Sequence, residues 1–138
     1  MNKQFIIAWL AVFVVWMGGS YAVHGVLLAV DYAGLAALYR PMEESGAYMP
    51  FILGAHVALS GALVAIYARG IEAKPWLGQG IRFGVLIALI TAVPWYTIYY
   101  AVQPLPGMMV VKQIAYDSVL RLLLGAAVAF VYRDGKQA

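Results

Sequence analysis

Four runs of apolar residues, each about as long as a bilayer is thick, leave this chain few ways to fold. A helix rising 1.5 Å per residue needs about 20 residues to cross roughly 30 Å of hydrocarbon. Residues 5–30, 49–68, 81–102 and 108–132 each meet that length. Hydrocarbon offers no water to the backbone, so runs of this kind fold as helices that satisfy their own N–H and C=O groups. The composition agrees: 64% of the 138 residues are hydrophobic and 11% are charged, against roughly 25% charged in an ordinary soluble domain, and mean hydropathy is +0.83. The expected fold is all-α, an integral membrane antiparallel four-helix bundle, one domain over residues 1–138 without a separate soluble module.

Lys3 before the first run resembles the start of a signal peptide, but the run is far longer than an h-region and lacks a convincing small-x-small cleavage site. It is expected to stay as the first span. Lys3, Arg69, Lys74, Arg82, Arg133 and Lys136 would then share one side of the membrane, while the first loop carries Arg40. By the positive-inside rule both termini are cytoplasmic. The first loop, with Asp31, Glu43 and Glu44, faces outward, which in a bacterial inner membrane is the periplasm. The net charge of +3 and pI near 9.2 therefore follow topology and imply no nucleic-acid partner. Without cysteine the chain forms neither disulfides nor thiolate metal sites.

The long first loop, "DYAGLAALYRPMEESGAYMP", repeats Tyr32, Leu35, Ala36 and Tyr39 at helical spacing before Pro41. It reads either as a short helix lying in the outer interface or as an extra turn of the first span. "GIEAKPWLGQG" and "QPLPG" are short reversals that make the remaining spans antiparallel neighbours. No internal repeat is present, so an inverted-repeat transporter within one chain is not supported.

The fourth span carries the unusual chemistry. Gln113, Asp117 and Arg121 follow at i, i+4 steps, and Gly125 continues the stripe, so all lie on one face. Counting from Met108, Asp117 and Arg121 sit roughly 13 Å and 20 Å from the outer boundary. There each charge costs about 2.5–3.5 kcal/mol on an insertion scale, so both should face the bundle interior or a subunit interface. Lys112, nearer the end, is expected to extend its ammonium to the headgroups. His24 and His56 fall in the outer leaflet by antiparallel threading, with Ser20 and Ser60 one turn away as orienting hydroxyls. The third span brings "PWYTIYY" to similar depth, where Pro94 is expected to kink the helix and free a carbonyl for Thr91, Thr97 or water. The candidate site is therefore His24, His56, Gln113, Asp117 and Arg121, with Trp95, Tyr96 and Tyr99 nearby. Those aromatics have an alternative role as an interfacial anchoring belt.

His24 and His56 are also the candidate metal or haem ligands, although the chain has no H-x-x-H or E-x-x-H pair and no C-x-x-C-H sequence. Small residues recur as Gly18, Ala22 and Gly25 on the first span, and as Gly54, Ala58, Gly61, Ala62 and Ala65 on the second, which predicts close helix packing there. Gly78, Gly80 and Gly84 follow no strand and precede no G-K-[S/T], so they form no phosphate loop. No serine-nucleophile motif is present, so soluble-type hydrolysis is not expected.

"VHGVLL" at 23–28, "KPWLGQGIRFG" at 74–84, and "YYAVQPLPG" followed by "VVKQ" up to Gln113 resemble a group of small four-span proteins of bacterial inner membranes. The resemblance covers most of the chain. It implies the bundle topology and the inner-membrane location, and carries no established activity.

Three functional readings follow. The first is a non-enzymatic ligand-binding or assembly protein, homo-oligomeric or accessory to a larger membrane complex, that holds a small apolar or cationic ligand in the outer-leaflet site. The second is a small oligomeric proton-coupled transporter or channel using Asp117. The third is a haem- or metal-binding redox protein.

Overall fold

The computed structural model describes residues 2–134. Lys136, one of the residues used to orient the chain, lies outside them. Among the described residues the chain is helical without strands: α1 (Lys3–Ser20) runs into a π-helical turn (Tyr21–Leu27). Next come α2 (Ala29–Ala33), a 3₁₀ turn (Ala36–Leu38), α3 (Met42–Arg69), α4 (Trp76–Ile90), α5 (Ala92–Val102) and α6 (Gly107–Tyr132). Four helices are long and apolar enough to cross a membrane: Lys3–Leu27, Glu43–Arg69, Trp76–Val102 and Gly107–Tyr132, the third made of α4 and α5 together. The bundle is the one expected from sequence.

The boundaries follow local chemistry. Asn2 caps α1 by accepting from the Phe5 N–H at 2.8 Å. Pro41, Pro75 and Pro106 stand directly before α3, α4 and α6 with ψ of 147°, 124° and 128°, so the chain enters each helix from an extended residue. These prolines start the second and third spans several residues earlier than hydropathy alone predicts. The third span breaks at Thr91 (φ −120°, ψ −73°) rather than at Pro94 itself. The ring of Pro94 conflicts with the carbonyl four residues back, at Ile90, which is where α4 ends. The Thr91 hydroxyl donates to the Ile87 carbonyl at 2.6 Å, and Thr97 donates to Val93 at 2.7 Å.

Helix α6 is the hub: it packs most extensively on α4, then on α1 and α5. Glycine makes the α4–α6 contact. A Cβ built on Gly84 would lie 2.6 Å from the Arg121 carbonyl oxygen, and one on Gly125 would lie 2.2 Å from the Gly80 carbonyl oxygen. Gly80 and Gly84, four apart on one face, thus form a small-x-x-x-small seat for Gly125. The rows expected to do this on the first two spans differ. Gly18 and Gly54 face open space, and Gly25 faces Tyr21 of its own turn. Gly61 does meet another helix, through the Trp9 ring at 3.1 Å.

We call the end holding Asn2, Arg133 and the 70–75 connection the terminal end, and the opposite one the distal end. The apolar core, including Ala8, Val12, Val64, Leu124 and Val128, fills the terminal half. There α3 is fastened to its neighbours: the Tyr67 hydroxyl donates to Gln79 Oε1, Gln79 Nε2 donates to the Gly70 carbonyl at 2.9 Å, and the Tyr67 ring lies on Phe83 and Tyr132. Toward the distal end α3 packs chiefly on α1 and is exposed along most of its length, with Phe51 73% accessible. The bundle is closed at one end and cleft at the other.

Candidate functional site

The buried face of α6 places Gln113, Asp117 and Arg121 inside the bundle at 3%, 2% and 9% exposure. The sequence stripe therefore faces inward, as its depth requires. Asp117 Oδ1 and Arg121 Nη1 are 3.6 Å apart along the helix, longer than a hydrogen bond. Arg121 is held by other contacts: its Nε donates to Thr91 Oγ1 at 3.2 Å and its guanidinium lies 4.7 Å from the Trp16 ring centroid. The break at Thr91 thus has a structural use, since it turns a hydroxyl toward the buried cation.

The π turn brings His24 to the same place. Within it the Leu28 N–H reaches back five residues to the Val23 carbonyl at 2.9 Å, a geometry that absorbs one extra residue and resets which side chains face inward. His24 Nε2 approaches Asp117 Oδ2 at 3.5 Å and the Tyr96 hydroxyl at 3.4 Å, and Tyr96 donates a hydrogen bond to Asp117 Oδ2. On the other side of the ring, Nδ1 is 2.8 Å from the Tyr32 hydroxyl, which also accepts from Gln113 Nε2 at 3.0 Å. Burial pushes the Tyr32 hydroxyl above its ordinary pKa, so it stays protonated. Tyr32 accepts from Gln113 and has its own proton available to donate to His24 Nδ1. The neutral imidazole then carries hydrogen on Nε2, facing Asp117. One directed series runs from Gln113 through Tyr32 and His24 to Asp117.

His56 belongs to the opposite wall. Its Nδ1 lies 2.8 Å from the Ile52 carbonyl, which only accepts, so Nδ1 carries the hydrogen and Nε2 faces Ser20 Oγ at 3.3 Å. The serine roles differ from those expected. Ser20 orients His56 rather than His24, while Ser60 donates to the His56 carbonyl at 2.6 Å and accepts from Trp9 Nε1 at 3.1 Å.

Between α1, the π turn and α3 lies a cavity of about 450 Å³, with α5 and α6 at its back. Trp16, Met17, Tyr21, Met49, Ile52 and Leu59 give it apolar walls, and Ser20, His24, His56, Tyr96, Asp117 and Arg121 its polar groups. Asp117, Arg121 and Tyr96 also line a smaller cavity of about 190 Å³ that contains Thr91, Trp95 and Tyr99. Five of the predicted residues therefore meet at the larger cavity. Trp95 and Tyr99, 55% and 42% exposed, border the smaller one, and Gln113 acts through Tyr32. Among buried side-chain atoms, Gln113 Oε1, Asp117 Oδ1 and Arg121 Nη1 have no hydrogen-bond partner. Among the described residues no group of three or more His, Asp or Glu is placed to hold a metal ion.

Sequence reasoning did not assign Asp31 and Tyr32 to the site. The first loop begins with α2, which folds back over the distal end, and Lys112 Nζ pairs with Asp31 at 2.9 Å instead of extending freely to headgroups. Tyr32→Phe is expected to cost about 1–3 kcal/mol, because it leaves the buried Gln113 amide without its acceptor. It should also move the nitrogen-15 resonance of His24 Nδ1. An unchanged imidazole spectrum would mean that Tyr32 does not set the tautomer.

No protein-family model, curated protein or solved structure matches this chain.

Proposed function

We propose that this chain is a ligand-binding protein of a bacterial inner membrane, with cytoplasmic termini, that takes a small amphiphile from the lipid phase into its outer-leaflet half. One observation carries the reading: His24, His56, Asp117 and Arg121 converge on a cavity of about 450 Å³ whose remaining walls are apolar. That volume is within the range of small-molecule sites, roughly 300–1,000 Å³. Tyr21, Met49, Ile52 and Leu59 border it and are exposed on the outside of the bundle, so entry is lateral, from hydrocarbon. The orientation is supported by Lys3, Arg69, Lys74, Arg82 and Arg133 on the terminal half, against Arg40 and Lys112 on the distal half. The role is binding, with no reaction assigned.

The test is to purify the protein in native lipid and identify what it retains by mass spectrometry. Wild type should carry a molecule enriched over bulk lipid. Met49→Trp, which fills the apolar side of the cavity, should lose most of it while keeping its melting temperature. If neither preparation is enriched in anything, the reading fails.

The series Gln113, Tyr32, His24 and Asp117 favours proton-coupled transport as a second reading, because it links the distal loop to a carboxylate inside the bundle. That reading requires proton flux into proteoliposomes which Asp117→Asn abolishes. An Asp117→Asn protein that conducts like wild type would end it.

A further inference from the structure

At the terminal end lies a larger cavity that the ligand-binding reading leaves unused, and we infer that it seats the phosphate head group of an anionic phospholipid. It encloses about 670 Å³ between the 70–75 connection, the start of α4 and the end of α6. Its two cations come from separate elements: Lys74 from the connection, and Arg133 from the residue that follows α6. A phosphate set between them meets an ammonium on one side and a guanidinium fork on the other. Arg133 is already held in place, with its guanidinium carbon 3.9 Å from the Phe130 ring centroid and its Nε donating to Asp134 at 3.1 Å. Among the described residues nothing else accepts from it, which leaves its two Nη groups to a ligand. Lys74 pairs with Glu72 across side chains 52% and 55% exposed. An ion pair this exposed is weak, so a phosphate can replace the carboxylate.

Position and surroundings favour a lipid over a soluble phosphate. Trp76 opens the third membrane-crossing helix and Tyr132 closes the fourth, so the cavity lies at the level where head groups meet hydrocarbon. Ile71, Trp76 and Ala129 give it an apolar wall, and Trp76 packs edge-on against Phe130, which is 50% exposed on the outside of the bundle. The chains of a bound lipid can therefore stay in the bilayer. Lys3, Arg69, Lys74, Arg82 and Arg133 stand on this half against Glu72 and Asp134, so the local field is positive and attracts an anionic leaflet. Lys74 first, with Arg82 adding its charge, holds the Glu72 carboxyl below its ordinary pKa, so the acid is ionised and competes with a phosphate for Lys74. The site is separate from the distal cavity, with which it shares no lining residue. In the proposed orientation it belongs to the cytoplasmic leaflet.

The experiment reconstitutes the protein in a bilayer of equal parts phosphatidylglycerol and phosphatidylcholine, repurifies it in detergent and measures the retained lipids by mass spectrometry. Wild type should hold phosphatidylglycerol enriched roughly fivefold or more over phosphatidylcholine, the factor expected when a basic residue is brought against an anionic head. Lys74→Gln with Arg133→Gln should bring the ratio to that of the bilayer at an unchanged melting temperature, since both side chains are exposed. Glu72→Gln removes the competing carboxylate and should raise the ratio. Lys3→Gln with Arg69→Gln removes the same charge outside the cavity and should leave the ratio as in wild type. An equal fall in the two double variants would mean a diffuse surface field and overturn the site, as would a wild type that is not enriched or a Glu72→Gln protein that retains less. Loss of phosphatidylglycerol in Met49→Trp would place the lipid in the distal cavity instead, and also overturns it. Washing with inorganic phosphate and with sodium chloride at matched ionic strength separates the two sources of a phosphate group. The two washes should release the lipid alike, and release by phosphate alone would make the free anion the occupant and end the lipid assignment.

Discussion

Adding a single methyl group at Gly84 is expected to lower stability by about 1–3 kcal/mol, and a valine at Gly125 to prevent the bundle from assembling. Both follow from what the new atoms would strike. The Cβ of residue 84 would meet the Arg121 carbonyl oxygen at 2.6 Å and Leu122 Cα at 2.7 Å, and that of residue 125 would meet the Gly80 carbonyl oxygen at 2.2 Å and Gly84 N at 2.8 Å. Backbone cannot rotate aside as the end of a side chain can. The helices must separate, and α6 is the element on which α1, α4 and α5 all pack. Gly18→Ala is the control, because nothing lies within 4 Å of its Cβ position and alanine is the better helix former by roughly 0.5–1 kcal/mol. Thermal unfolding in one detergent, followed by circular dichroism, should rank Gly18→Ala at or above wild type, then Gly84→Ala, with Gly125→Val yielding no folded protein. A Gly84→Ala protein that melts with Gly18→Ala would remove the close α4–α6 approach from the account.

The second large effect is an asymmetry between two partners of one ion pair. Asp117→Ala should cost about 3–5 kcal/mol, since it leaves Arg121 buried with only Thr91 and the Trp16 face for company. Arg121→Met should cost less, because Asp117 keeps the Tyr96 hydroxyl and the His24 N–H as donors. The double variant, Asp117→Leu with Arg121→Met, should recover most of the loss, as apolar replacements of buried pairs commonly do. A double-mutant cycle on unfolding in detergent measures the coupling. If the two single variants are equally unstable, the donors around Asp117 do not sustain it and the site is less preorganised than its geometry implies.

Much of this architecture is written in the chain as periodicity and depth. The four spans, the inward stripe of Gln113, Asp117 and Arg121, and the common level of His24, His56 and Tyr96 follow from a 1.5 Å rise and a repeat of four. Hydropathy conveys depth but not contacts across the bundle, and most of the unread features of the site are of that second kind. Asp31 and Tyr32 look like loop residues until the loop folds back on Lys112 and Gln113. Gly80 and Gly84 were legible as a small-x-x-x-small pair, but they sit at the start of a span, amid residues that read as a connection. Which serine serves which histidine depends on how α1 is rotated against α3, and no local pattern records that.

The π turn from Tyr21 to Leu27 separates two obligations that one helix would otherwise have to meet together. Below it, Ala8, Val12 and Trp16 are buried in the bundle and tolerate little change. Within it, the extra residue shifts the register, and His24 and Tyr21 are turned toward the cavity. A substitution below the turn is therefore expected to cost packing, whereas one within it changes the lining of the cavity.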